Sequence, residues 1–192
     1  MEVITFPHPT LRYQSKPIRR VDAELRQSIQ EMFELMYEHR GIGLAANQVD
    51  LPLRLFVMNL EGERGKGEEF VFINPVISHP KGTEEREEGC LSLPELYAPV
   101  VRPKRVRIQA YGIDGREIQA DVDGLFARCV QHELDHLDGV LFIDRVHEAR
   151  LPELQDALDE FATDFDSRRA TGGIPSDEQI ASRRAGLESR YC

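Results

Sequence analysis

The chain has 192 residues, 41% of them hydrophobic, with a formal net charge of -10; that is enough for one sizeable core and an appendage. The acidic balance argues against nonspecific binding to nucleic-acid phosphates, which calls for a basic excess. No apolar run is long enough to span a bilayer and the start, "MEVITFPHPTLRYQSKP", lacks the features of a secretory signal, so a cytoplasmic protein without membrane or DNA partners is expected. Cys90, Cys129 and Cys192 are too few and too scattered for a disulfide framework and read as free thiols.

In chain order, Leu25, Ile29, Met32, Phe33 and Met36 recur at helical spacing after an N-cap candidate at Asp22. "GIGLAANQV" reads as a loop, and "LRLFVMNL" and "FVFINPVI" read as strands. The acidic "TEEREEG" reads as a solvated loop or sheet edge. "RVRIQAYGIDGREIQADV" alternates about Asp114-Gly115, a hairpin signal, and leads into a helix from about Gly124 to Leu137, with Gly139 as its stop. Leu151, Leu154, Leu158, Phe161 and Phe165 mark another helix with an acidic outer face. Beyond it, Gly172, Gly173 and Pro175 make a joint, and few large apolar residues follow. The division expected is a catalytic domain over 1–166 and a flexible tail over 167–192.

The stretch "CVQHELDHLDG" carries the chemistry. His132 and His136 stand four apart on the expected helix, so their imidazoles share a face and can share an ion. Glu133 beside them is placed to carry a proton rather than to ligate. Leu125, Cys129, His132 and His136 form one stripe, which directs the histidines toward a pocket rather than bulk water. The third ligand is open at this point. Cys129 lies about 7.5 Å along the helix axis from an ion bridging the two histidines, too far for a metal–sulfur bond of about 2.3 Å. Phe142 stands where a third histidine of a longer zinc motif would be. Glu148, Glu153, Glu160 and Cys90 all stay in play.

"GIGLAANQ" (Gly41 to Gln48), "EGCLS" (Glu88 to Ser92) and "QHELDH" (Gln131 to His136), in this order, resemble the three signature motifs of the bacterial peptide deformylases. With the opening "FPHPTLRYQSKPI", the likeness extends over about residues 1 to 165. It implies an α+β fold in which mostly antiparallel sheets wrap a central helix bearing the HExxH motif, with a C-terminal helix. It also implies removal of the formyl group from the N-terminal formylmethionine of new polypeptides. By position it implies Cys90, His132 and His136 as metal ligands and Glu133 as general base and acid. The side chain of Gln48 and the N–H of Leu91 become oxyanion donors, and Ile42, Gly43, Gly89, Leu125 and Cys129 the substrate slot. The family normally uses ferrous iron, while zinc, nickel or cobalt can take the same ligands.

Arg128 and Tyr97 lie where relatives often differ, and Arg128 is expected at the pocket edge, meeting acidic side chains of the substrate. Glu88 and Arg102 are candidates for an ion pair. The tail carries five arginines against three acids, a net of +2 on a body at -12; Ser176, early acids and later arginines favour a short helix there. Its arginines suggest a contact with the ribosome. Two other classes compete with the deformylase reading: a two-histidine zinc peptidase, which would cleave unformylated peptides, and a noncatalytic module with closed fourfold coordination.

Overall fold

In the computed structural model, which describes residues 1–192, Asp22 Oδ1 accepts from Leu25 N at 3.0 Å and helix α1 runs Ala23–Glu38. The five apolar residues of its stripe are all buried. They meet β1 (Gly43–Ala45), β2 (Leu55–Met58) and β3 (Phe70–Lys81). The all-apolar run of β2 has a simple cause: Leu55 and Val57 face the α1 side, whereas Phe56 and Met58 face the other side. Both faces of the strand are buried.

β6 (Arg105–Tyr111) and β7 (Glu117–Asp123) form the expected hairpin around Gly115, whose φ of 80° a side chain would resist. The sheet order is β1-β2-β3-β6-β7, antiparallel throughout. Helix α2 (Gly124–Leu137) packs Ala127, Cys129, Val130 and Leu137 against the sheet face opposite α1. Gly139, φ 74°, ends the turn beyond it, where an added Cβ would lie 2.6 Å from Arg12 O.

The segment "TEEREEG" is a strand rather than a loop, in keeping with the sheet-edge alternative. Its residues Glu84 to Gly89 belong to β4 (Glu84–Cys90), paired antiparallel to β5 (Leu93–Arg102) in a separate two-stranded sheet. β5 supplies the driving force: Leu93, Leu96, Ala98 and Val100 are buried with Leu11, Phe142 and Leu154. β4 adds little apolar surface and is recruited by pairing.

"GIGLAANQV", expected as a loop, contains β1 and a single 3-10 turn, Ala46–Val49. The N-terminal segment pins it. Ile4 N donates to Gln48 O at 2.8 Å, and Asn47 Nδ2 donates to Tyr13 O at 2.7 Å. Helix α3 (Leu151–Ala170) buries Leu154 and Phe165, while Leu151 stays exposed.

The C-terminal segment differs from the expected flexible tail. After a turn at Gly172, helix α4 (Asp177–Tyr191) starts at the Ser176 cap and folds back on the body. Ile180 and Tyr191 are buried, and Leu187 packs with Tyr191 against the α1 core. Its charges have partners too. Glu188 meets Tyr13 and Lys16 at 2.5 and 2.7 Å, Arg190 meets Asp22 and Glu24 at 2.8 and 2.7 Å, and Arg183 meets Asp50 at 3.0 Å. Arg184 stacks over the Tyr13 ring at 3.9 Å.

Candidate metal centre and active site

Two elements bring the three candidate donors together. β4 ends at Cys90, where a register shift interrupts its ladder, and α2 presents His132 and His136. One donor atom from each lies within 4.8 Å of the others, and Cys90 Sγ is 3.2 Å from His136 Nε2. A thiolate with two imidazoles is a donor set for one borderline divalent ion. Among the third donors the sequence leaves open, Cys90 is the one beside the histidines.

The chemistry of the site fits such an ion. His132 Nδ1 sits 3.0 Å from Glu88 Oε2, which fixes the donor proton on Nδ1 and frees the other ring nitrogen. Burial, with the His132 charge nearby, holds His136 well below the usual histidine value. Burial also lowers His132, but hydrogen bonds to Cys90 and Glu88 outweigh it and push it up to about 10. Glu133 Oε2, on a residue that lines the adjoining cleft, is buried without a protein partner, an arrangement that costs about 1–3 kcal/mol unless the site takes a polar guest.

Beside the cluster lies a cleft of about 510 Å³. Gly41, Ile42 and Gly43 form one wall, Gly89 to Leu91 another, and Leu125, Cys129 and Glu133 the floor and rim. Burial pushes Glu133 up to about 7 against the pull of the His132 and Arg102 charges. A carboxyl poised there can both accept and return a proton near neutral pH. Gln48 is oriented: its Oε1 accepts from Ala45 N at 2.8 Å, and its Nε2 lies 3.4 Å from Cys90 Sγ and 3.3 Å from Ser92 Oγ. Cys129 is a buried wall thiol, and that burial raises its pKa well above the usual value.

Packing alone also favours glycine at two of the three glycine positions that line the cleft, Gly43 and Gly89. A Cβ at Gly43 would collide with the Glu133 carboxylate and with Cys129 Sγ, and one at Gly89 would lie 2.5 Å from the ring of Tyr97, its cross-strand partner.

Glu88 and Arg102 form a buried pair, not a solvated one, with Arg102 Nε and Nη2 donating to the two carboxylate oxygens at 2.6 and 2.9 Å. Burial raises the Glu88 carboxyl, yet its bonds with His132 and Arg102 hold it at about 2. Arg102 also reaches Asp135 at 2.7 Å, which Arg145 grips from the far side. Asp135, Arg145 and Ser92 escape sequence reasoning, although Ser92 lies within "EGCLS". Arg128 corrects an expectation. It borders the cleft but is 8% exposed, and its guanidinium turns inward onto Glu88 rather than outward to substrate.

Comparison with known proteins agrees with this geometry. Residues 1–151 match the family described as polypeptide deformylase. A peptide deformylase of Rhodopirellula baltica is 51% identical over 191 residues, covering 100% of this chain and 95% of that protein. A crystal structure of Arabidopsis thaliana peptide deformylase 1B with an inhibitor matches with a TM-score of 0.83 at 41% identity, covering 92% of this chain and 97% of the other. For a Legionella pneumophila peptide deformylase the TM-score is 0.78 at 36% identity, covering 91% and 98%. With motifs, fold and donor cluster in agreement, the chain belongs to the polypeptide deformylase family.

Proposed function

We propose that this protein hydrolyses the N-formyl group from the N-terminal formylmethionine of newly made polypeptides, releasing formate. The observation that carries the reading is a Cys/His/His donor cluster opening on the same cleft as a buried carboxyl poised near neutrality. Cys90, His132 and His136 are assigned as metal ligands on α2 and β4, with α2 as the central helix of the fold. Three protein donors leave a coordination position for a reactant, the pattern of a catalytic rather than a structural site. Held by these residues, a divalent ion, ferrous iron in the cell with zinc, nickel or cobalt able to take the same donors, would supply Lewis acidity toward the formyl group and water near neutral pH.

Glu133 takes the proton of the attacking water and hands it to the departing amine, so one carboxyl serves both halves of the hydrolysis. The side-chain amide of Gln48 and the N–H of Leu91 steady the oxyanion that develops on the formyl oxygen; a single donor of this kind is worth about 2.7–4 kcal/mol. Ile42, Gly43, Gly89, Leu125 and Cys129 wall the slot for the methionine side chain. Residues 1–166 form the catalytic domain, 167–192 are a docked extension, and the protein works in the cytoplasm on nascent chains. The ribosome contact suggested by the arginines of 167–192 has less to draw on, because Arg169, Arg183 and Arg190 are paired with Asp177, Asp50 and Asp22.

The test separates metal binding from chemistry. Glu133→Ala should keep about one equivalent of metal yet lose nearly all formate release from formyl-Met-Ala-Ser under anaerobic conditions, whereas Cys90→Ser should lose or exchange the metal. The opposite pattern refutes the assignment, and cleavage of the unformylated peptide favours a two-histidine peptidase. If ferrous iron is the cellular ion, the iron form should decay in air while the nickel form persists.

A further inference from the structure

Glu88 is held by more donors than an ordinary ion pair. Its Oε1 accepts from Arg102 Nε at 2.6 Å and from Arg128 Nη1 at 2.5 Å; its Oε2 accepts from Arg102 Nη2 at 2.9 Å and from His132 Nδ1 at 3.0 Å. Two strong donors on each oxygen come close to filling a carboxylate's acceptor sites. Arg128 and His132 are four apart on α2, so the same helix face grips Glu88 through both oxygens.

The other bonds of Arg128 point to the same task. Nη1 also donates to Val100 O at 3.1 Å, and Nη2 donates to Glu84 O at 2.8 Å. One guanidinium therefore ties α2 to both strands of the β4–β5 hairpin, the unit that ends in Cys90. Arg102, by contrast, comes from β5 and divides its donors between Glu88 and Asp135. Without Arg128, Oε1 keeps a single partner and the carboxylate can pivot about the Arg102 fork. Any tilt of that fork would move Oε2 relative to His132 Nδ1.

We propose that Arg128 is a positioning residue: by clamping Glu88 Oε1 it holds Oε2 on His132 Nδ1, and so keeps His132 in the tautomer and orientation that bind the metal. The inference deepens the ligand assignment made above and rests on it. The partners of ligating histidines typically matter about 10–100-fold in metal affinity or activity. Arg128 acts one bond further out, so the low end of that range, about tenfold, is expected.

Nickel-loaded protein tests this without relying on turnover, through the rate at which nickel passes to a chelator in excess. Arg128→Met should release nickel about tenfold faster than the parent. Glu88→Gln should also release it faster, and adding Arg128→Met to Glu88→Gln should bring much less than a further tenfold increase, because the arginine acts mainly through that carboxylate. Arg128→Lys, which keeps the charge but not the fork, should fall between parent and Met variant. It carries the test alone if the Met variant does not fold. For formyl peptides, the KM ratio between Asp and Ala after methionine should stay constant while kcat falls with nickel retention. Unchanged nickel release with a lower melting temperature makes Arg128 merely structural and overturns the proposal. A changed KM ratio at normal nickel retention returns it to the substrate rim and also overturns the proposal, as does acceleration additive to that of Glu88→Gln. Failure of the parent itself to retain nickel would instead strike the ligand assignment.

Discussion

A methyl group added at Gly43 is a sensitive probe of how the cleft is built. The position lies in β1 opposite Met58, and no left-handed φ restricts it. An alanine there fails for packing reasons alone. Its Cβ would overlap the Glu133 carboxylate and sit 2.9 Å from Cys129 Sγ, where ordinary contacts are 3.4–4 Å. Both neighbours are buried on α2 and have little room to yield. Overpacking of this kind costs about 1–3 kcal/mol, roughly 2–12 °C of melting temperature for a chain of this size. The Glu133 side chain, the one with an unpartnered oxygen, moves first. A displacement of about 1 Å in a reacting group costs on the order of 10²-fold in rate. Gly43→Ala should therefore lose about a hundredfold in kcat with full metal content and a small change in KM. Gly186→Ala is the control: it lies in α4 with nothing within 4 Å of the added carbon, so it should gain about 0.5–1 kcal/mol with unchanged activity. Wild-type kcat for Gly43→Ala at full metal content would refute the reasoning. A rise in KM at constant kcat would instead make this glycine a contact for the approaching peptide.

Two further outcomes concern the docking of α4. Tyr191 is buried in the α1 core, so Tyr191→Ala should lower stability by about 3–5 kcal/mol in urea unfolding, while formate release from a short formyl peptide at 25 °C stays unchanged; equal midpoints for the two proteins would show that the C-terminal helix is not docked. Asp22 caps α1 through Leu25 N and also meets Arg190, which together hold its carboxyl at about 2 against the usual 3.8. A depressed carboxyl stabilises above its unfolded value and loses that contribution as pH falls through the folded one, so the effect fades between about pH 4 and pH 2. Asp22→Asn should flatten the acid limb of the stability curve in that window, and an unchanged slope would remove Asp22 from the account.

How much of this was legible in the sequence depends on what specifies each element. α1, the β6–β7 hairpin and α2 carry their own periodicity and stop signals, so local reading suffices. β4 does not: five of its seven residues are charged, and it is a strand because β5 offers a buried apolar face to pair with. β1 is three residues long, below any periodic signal, and exists through its register with β2. The docking of α4 left a fainter trace. Ile180, Leu187 and Tyr191, spaced seven and four apart, mark one helical face, but no other large apolar residue stands between them to strengthen the pattern. Arg128 shows the same rule applied too narrowly. Its adjacency to Cys129 points to the cleft, yet adjacent residues on a helix diverge by about 100°. The residue that shares its face is His132, four positions on, and that face turns toward Glu88 in the structure. Helical period locates charged side chains as firmly as apolar ones. A buried arginine one turn before a histidine in HExxH is therefore best read first as a support for that histidine and only then as a contact for substrate.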